Sequence, residues 1–307
     1  MVEYIYGPVP SRRLGFSLGV DLVPFKTCSY DCIYCQLGKT TNKTLERKEY
    51  FPEREILVQL KKAISLHQKI DYITFSGSGE PTLNSKIGSL IRKIKKITKI
   101  PVAVLTNGSL FYQKELRKEL LLADLVIPSL DAVTPEIFRK VNRPHSLIKV
   151  EEIIEGIKKF RKEFKGLIWL EIMLAKGFND GKEHLDKIVS IVQEIKPDKI
   201  HLNTVVRPPT EKFALPLFSE ELSEIKKLFG KNCEIIAEFK PREQKTYSED
   251  LKTAILSIIK RRPVSLLDLS ISLGKNQSEI LKYLDFLVQN GKIKVVHYHG
   301  IKYYEIN

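Results

Sequence analysis

Between residue 17 and about residue 239, short β-branched and apolar runs alternate with longer stretches of helical period. This alternation commits a chain to repeated strand–helix units around a parallel sheet, because each helix must bury its apolar stripe against the sheet. The predicted strands are SLGVDLV (17–23), YITFS (72–76), VAVLT (102–106), LVIPSL (125–130), LIWLEIML (167–174) and KIHLNTVV (199–206), with a further strand EIIAEF (234–239). Helices such as EREILVQLKKAISLHQ place Ile56, Leu57, Leu60 and Ile64 on one face. Six such units predict an α/β fold, a partial (β/α)6 TIM-like barrel.

The character changes after residue 240. KPREQKTYSED (240–250) is polar and aperiodic, so we divide the chain into a barrel domain at 1–240, a linker at 241–250 and a second domain at 251–307. The last segment reads as helix LKTAILSIIKRR, helix SLLDLSISLG, a turn at Gly274–Asn276, helix QSEILKYLDFLVQNG and hairpin KIKVVHYHGIKYYEIN. That order predicts a small C-terminal winged helix-turn-helix domain.

KTCSYDCIYCQLGK (26–39) holds three of the four cysteines, placed by the preceding strand at the C-terminal mouth of the barrel, where such folds carry their sites. No run of about 18 apolar residues marks a membrane span, and MVEYIYGPVPSRRLG lacks the order of a secretory signal, so a cytoplasmic protein is expected. In a reducing compartment, clustered thiols favour a metal or redox role over disulfides. A closed zinc site takes four protein ligands, usually as two pairs, and no partner pair exists here. Three thiolates instead suit a [4Fe-4S] cluster with one iron left open to an exogenous ligand, with a zinc or purely structural cysteine loop as the alternative.

The spacing of Cys28, Cys32 and Cys35, with an aromatic residue, Tyr34, just before the last, resembles the signature of radical S-adenosylmethionine (radical SAM) enzymes over roughly residues 10–240. The resemblance implies cluster ligation by these three cysteines and S-adenosylmethionine chelated at the open iron. It also implies a 5′-deoxyadenosyl radical that abstracts hydrogen from the substrate, and an electron donor of flavodoxin or ferredoxin type. SGSGEPTL (76–83) is similar to the family's Gly-Gly-Glu-Pro turn, with Ser78 at the first position of the doublet. Gly77, Ser78, Gly79 and Glu80 thereby become candidates for the methionine amino group. Physically, the glycines allow close backbone approach and the carboxylate suits an ammonium. TNGS (106–109) and SLDA (129–132) end two further strands, and the resemblance makes Asn107, Ser129 and Asp131 candidates for the rest of the nucleotide. Glu171 interrupts an apolar strand and needs a partner, such as a ribose hydroxyl or a neighbouring cation, and Asn203 stands at the sixth strand.

These motifs look most like the branch containing the wyosine-type tRNA synthases. That branch carries a second cysteine cluster, whereas Cys233 is the one cysteine left here, so the pyruvate-condensing reaction does not transfer. The formal charge of +14 favours a polyanion; residues 249–307 carry nine basic and six acidic residues, leaving +11 for the barrel. RNA, contacted by the basic barrel face and the winged helix, is therefore the expected substrate. Arg12, Arg13, Arg143, His145 and Arg207 are candidates to hold it. A peptide, protein or small metabolite is the alternative substrate. An iron-sulfur regulator that binds DNA is the alternative outside enzymology, although its third helix offers only Lys282 as an obvious phosphate contact.

Overall fold

The computed structural model describes residues 2–66, 69–237 and 251–307. The chain begins with β1 (Ile5–Ser11), β2 (Gly15–Val20), β3 (Thr27–Cys28), β4 (Asn42–Lys43) and α1 (Glu53–Leu66). It continues through β5 (Tyr72–Phe75), α2 (Ile87–Ile97), β6 (Val102–Thr106), α3 (Lys114–Leu120), β7 (Leu125–Pro128), α4 (Pro135–Val141) and α5 (Val150–Glu163). There follow β8 (Leu167–Leu174), α6 (Lys182–Ile195), β9 (Lys199–Thr204), α7 (Ser219–Phe229) and β10 (Cys233–Ile235). The last segment holds α8 (Leu251–Ile259), β11 (Val264–Ser265), α9 (Leu266–Leu273), α10 (Gln277–Gln289), β12 (Ile293–Tyr298) and β13 (Ile301–Ile306).

Eight strands form one sheet in the order β1-β2-β5-β6-β7-β8-β9-β10. It is parallel from β2 to β10, and β1 alone runs antiparallel, beside β2. The α/β alternation therefore builds the mostly parallel sheet expected of it. Period-two alternation sorts the strand residues. Ile73 and Phe75 of β5, Val102 and Val104 of β6, and Ile168, Leu170 and Ile172 of β8 point outward into the main core under the helices. Their neighbours Ser17, Thr74, Leu105 and Ile127 line the inside, where the Ser17 and Thr74 hydroxyls bond at 2.5 Å.

Three details depart from the predicted elements. The first predicted strand, 17–23, is ordered as β2 and ends at Val20. The strand β1, IYGPVPS, is not among the predicted strands; Pro8 and Pro10 disfavour a ladder, but at a sheet edge the missing N–H groups cost nothing. The predicted strand 234–239 is ordered over Cys233–Ile235; its end and the 241–250 linker lie outside the described residues.

Residues 251–307 form three helices and a three-stranded antiparallel sheet, order β11-β13-β12. Their core includes Ile255, Leu269, Leu284 and Tyr304, and it also takes in Val9 of β1 with Tyr6 packed against it. On the other side, Tyr298 and Tyr303 donate their hydroxyls to the Val205 and Val206 carbonyls, at 3.0 and 2.9 Å, just beyond β9. The C-terminal segment thus spans from the β1 edge to the chain leaving β9.

One buried ion pair fixes this docking. Arg261 Nε donates to Asp21 Oδ2 at 2.8 Å, its Nη2 donates to the Glu3 carbonyl, and its guanidinium lies over the Tyr6 ring. Asp21 also accepts from the Ser78 N–H at 2.7 Å. Replacing Arg261 by Ala leaves Asp21 buried without its counter-charge, a loss of about 3–5 kcal/mol. Denaturant unfolding of Arg261→Ala against the parent checks this; equal midpoints would show that the pair does not fix the docking.

Candidate active site

The site begins with a loop folded back on itself. β3 pairs with β4, so that Cys28 lies in a short parallel bridge, and the loop beyond it turns through the Cys35 N–H bond to the Cys32 carbonyl at 3.1 Å. All four cysteines are free thiols. Cys28 and Cys32 line a cavity of about 350 Å3 inside the barrel, and Cys35 lines an adjoining one of about 210 Å3. Each of these three sulfurs meets a side-chain nitrogen: Asn107 Nδ2 lies 3.5 Å from Cys28 Sγ, Asn142 Nδ2 3.6 Å from Cys32 Sγ, and Lys26 Nζ 3.3 Å from Cys35 Sγ.

Burial, with Glu80 adding to it, pushes the Cys28 thiol up to about 12. Burial and then Asp131 push the Cys32 thiol well up. Thiolates there need a cation to replace their protons, and a metal cluster supplies one. A cubane takes each thiolate at a separate iron, so its ligands need not converge on one point. Among the described residues no group of three or more His, Cys, Asp or Glu side chains converges on a single ion. Three thiols that each receive an N–H donor, beside a cavity, fit an iron-sulfur cluster.

The SGSGEPTL turn docks on this loop. The Lys26 N–H donates to the Ser78 carbonyl at 2.7 Å and the Glu80 N–H to the Thr27 carbonyl at 3.1 Å. A Cβ on Gly79 would lie 1.9 Å from that Thr27 oxygen; on Gly77, at φ +117, it would lie 1.9 Å from Asp21 Oδ1. The glycines therefore serve close approach between two protein segments, while Gly77, Gly79 and Glu80 still line the cavity. Ser78 faces a different depression, beside Asp21 and Arg261.

Glu80 is a well-tied carboxylate. Oε1 accepts from the Thr82 N–H at 3.0 Å and from the Thr82 and Thr106 hydroxyls at 2.6 and 2.7 Å, and Oε2 accepts from the Asn107 N–H at 2.7 Å. Burial still raises its affinity for a proton, against these bonds. Oε2 keeps room for one further donor.

Asn107 and Ser129 line the cavity, whereas Asp131 and Tyr34 do not. The Tyr34 hydroxyl donates to Asp131, which also accepts from Asn142 Nδ2 and the Met173 N–H. Burial pushes the Asp131 carboxyl up to about 6. The pair braces the cysteine loop against β8 from beneath. Glu171 lines the cavity, paired with Arg13 and accepting from Asn203 Nδ2 at 2.9 Å. Burial would raise its carboxyl, but Arg13, Asn203 and Arg12 hold it below its usual range. The cation that an inward carboxylate needs is thus supplied by the chain itself, at Arg13, while Glu171 still lines the cavity.

Arg12, Arg13 and Arg207 are brought into the cavity wall, although Arg207 lies almost 200 residues from the other two. Arg143 instead pairs with Glu211 at 2.5 Å, and His145 Nδ1 faces the Leu147 N–H, away from the cavity. Sequence reasoning missed Arg261 and Arg262, which reach the same wall from the C-terminal segment. Their signal, a KRR run at the end of a helix, reads equally as a helix terminus.

The radical SAM superfamily model matches residues 22–189. The chain belongs to the radical SAM superfamily. It is 35% identical over 309 residues to a UPF0026 protein of Methanocaldococcus jannaschii, covering 98% of this chain and 95% of that one. It is also 42% identical over 306 residues to a Brachyspira hyodysenteriae protein named GTPase Obg; this covers 99% of the chain but only 45% of that protein, so that name belongs to a much longer protein. Among solved structures, a radical SAM methyltransferase from Sphaerobacter thermophilus matches with TM-score 0.56 and 16% identity, over 71% of this chain and 65% of the other, a likeness of fold. A radical SAM enzyme takes S-adenosylmethionine and a [4Fe-4S] cluster as its cofactors.

For this radical SAM chain, replacing any one of Cys28, Cys32 and Cys35 by Ala should abolish the brown absorbance near about 400 nm after anaerobic reconstitution. Retained absorbance in the triple variant would refute the ligand set. Gly79→Ala should cost about 1–3 kcal/mol through overpacking. It should also impair cluster loading, because the Thr27 carbonyl beside Cys28 must shift; normal stability and normal iron content would contradict this packing argument.

Proposed function

We propose that this is a cytoplasmic radical SAM enzyme that modifies RNA inside the barrel cavity, with residues 251–307 as a winged helix-turn-helix domain that roofs the site. The chemistry that the bound cofactors supply is one-electron cleavage of a sulfonium to a 5′-deoxyadenosyl radical, the electron coming from a flavodoxin- or ferredoxin-type donor. Cys28, Cys32 and Cys35 hold the cluster, and Lys26, Asn107 and Asn142 steady their sulfurs. Glu80 Oε2 offers the remaining acceptor for the methionine ammonium, while Gly77, Gly79, Asn107 and Ser129 complete that wall. The closed walls of β2, β5, β6 and β7 keep water from the radical.

The observation that carries the RNA reading is a groove of about 910 Å3 between the 208–212 loop and the C-terminal sheet. Four cations, Lys212, Lys260, Arg262 and Lys294, line it against one acid, Glu305, and Phe25 and His297 stand among them. Cations interleaved with rings suit a single-stranded nucleic acid backbone and its unstacked bases. Gln36 and Arg262 line both groove and cavity, so an RNA held in the groove lies next to the reaction chamber. The SGSGEPTL, TNGS and SLDA motifs resemble those of the wyosine-type tRNA synthases, which favours a structured RNA such as tRNA. A peptide is the second reading, because β12 has one strand neighbour among the described residues and so offers an edge for strand addition.

RNA binding to the reconstituted protein should weaken with salt, by a slope of about 0.7 per phosphate contacted. Lys260→Glu and Lys212→Glu should each lower affinity and flatten that slope by about one contact. RNA should also stimulate release of 5′-deoxyadenosine. Salt-independent binding, or stimulation by peptides and not by RNA, would overturn the RNA assignment in favour of the edge-strand reading.

A further inference from the structure

Five arginines line the barrel cavity, and they fall into two groups. Arg13 is matched by Glu171, and Arg261 by Asp21 at 2.8 Å. Arg12, Arg207 and Arg262 have no such match. Arg12 donates to neutral acceptors, Asn203 Oδ1 at 3.0 Å and the Ile236 carbonyl at 3.1 Å. Arg207 donates weakly to Gln36 Oε1 at 3.4 Å and lies 3.8 Å from Asp268 Oδ2. That carboxylate already caps α9 by accepting from the Ser265 N–H at 3.2 Å.

Two guanidinium nitrogens, Arg207 Nε and Arg262 Nη2, are buried with no hydrogen-bond partner. Arg207 is 8% exposed. Burial lowers the Arg12 guanidinium to about 9 and Arg262 to about 10, and in both the next cause is the charge of Arg207. The three side chains therefore repel one another in a poorly hydrated place. Buried N–H groups without acceptors are rare and costly, and a fold that keeps them where a cavity opens does so for a ligand that brings the acceptors.

We propose that Arg12, Arg207 and Arg262 form a subsite for a doubly charged oxyanion of the substrate, a phosphoryl or dicarboxylate group, and that the C-terminal domain completes it. Glu171, near Arg12, is already matched by Arg13, so the three guanidiniums have Asp268 as their one further carboxylate and two positive charges are left to be met. The planar fork of each guanidinium suits two oxygens of one such group. Arg12 comes from the β1–β2 turn, Arg207 from the chain beyond β9 and Arg262 from the turn after α8, so the subsite exists only when the C-terminal domain is docked. The assignment deepens the reading of this cavity as the reaction chamber, yet it is testable without turnover.

The test is thermal unfolding of the cluster-reconstituted protein under anaerobic conditions with phosphate, malonate or chloride at equal ionic strength. The parent should gain about 2–4 °C from a dianion well above its dissociation constant, and nothing from chloride. Phosphate acting more strongly than malonate assigns a phosphoryl group, and the reverse a dicarboxylate. Arg262→Met should lose the gain while unfolding, without anion, at the parent temperature or above, because a repelling buried charge has gone. Arg207→Gln, which keeps a polar group, serves as the second variant and should also lose the gain. No dianion effect in the parent, or an equal effect in both variants, overturns the subsite. So does a lowered ligand-free midpoint in Arg262→Met with the dianion gain intact. Absorbance of the same samples reads cluster loading, so a missing cluster with an intact dianion effect would count against the radical reading and leave the subsite standing.

Discussion

Asp21 is the point on which the architecture turns. Its carboxylate, at the end of β2, takes the Ser78 N–H of the glycine-rich turn on one side and Arg261 of the C-terminal segment on the other. Burial pushes this carboxyl up despite the pull of Arg261, so the ion is held at a cost. Such a pair contributes more to fixing one arrangement than to net stability, since an apolar replacement often serves stability equally well. What it fixes is a chamber: the turn docks on the cysteine loop, and the C-terminal helices dock across the β1 edge.

The interior of that chamber follows from the two faces of the sheet. Outward residues are branched and apolar and bury the helices, whereas inward residues at the mouth are hydroxyls, amides and glycines. A parallel sheet with both faces apolar would have packed solid. Here Ser17, Thr74, Ser76 and Ser129 stand beside Leu105 and Ile127 and keep part of the inner wall small and polar, which leaves space for a nucleotide. The sulfurs then sit where amide and ammonium donors favour an anionic ligand set, and Asp131 with Tyr34 holds the loop from beneath.

The cavity is electrostatically divided. Glu80 presents a carboxylate on one wall, which suits a cation, while the arginine-rich wall is suited to an anion. The two walls belong to different parts of the chain, and a substrate that satisfies the second is brought beside the first. The groove with its lysines and rings continues the same basic surface outward.

Much of this was legible in the residues alone. Period-two and period-3.6 patterns determined the strand–helix alternation, and the spacing of Cys28, Cys32 and Cys35 with the SGSGEPTL turn determined the family, because both depend on local geometry within short segments. The β1 strand was not legible, since prolines disfavour a ladder everywhere except at an edge, and sequence does not say where an edge lies. Nor was the role of Ser78 or Asp131, whose side chains turn away from the cavity to neighbours set by long-range packing. Only the tertiary structure decided that a segment read as an appendage lies against the barrel and lends it Arg261 and Arg262. A basic run at a helix end carries no mark of its partner; that partner, Asp21, is 240 residues away, and proximity at such separation is created by folding.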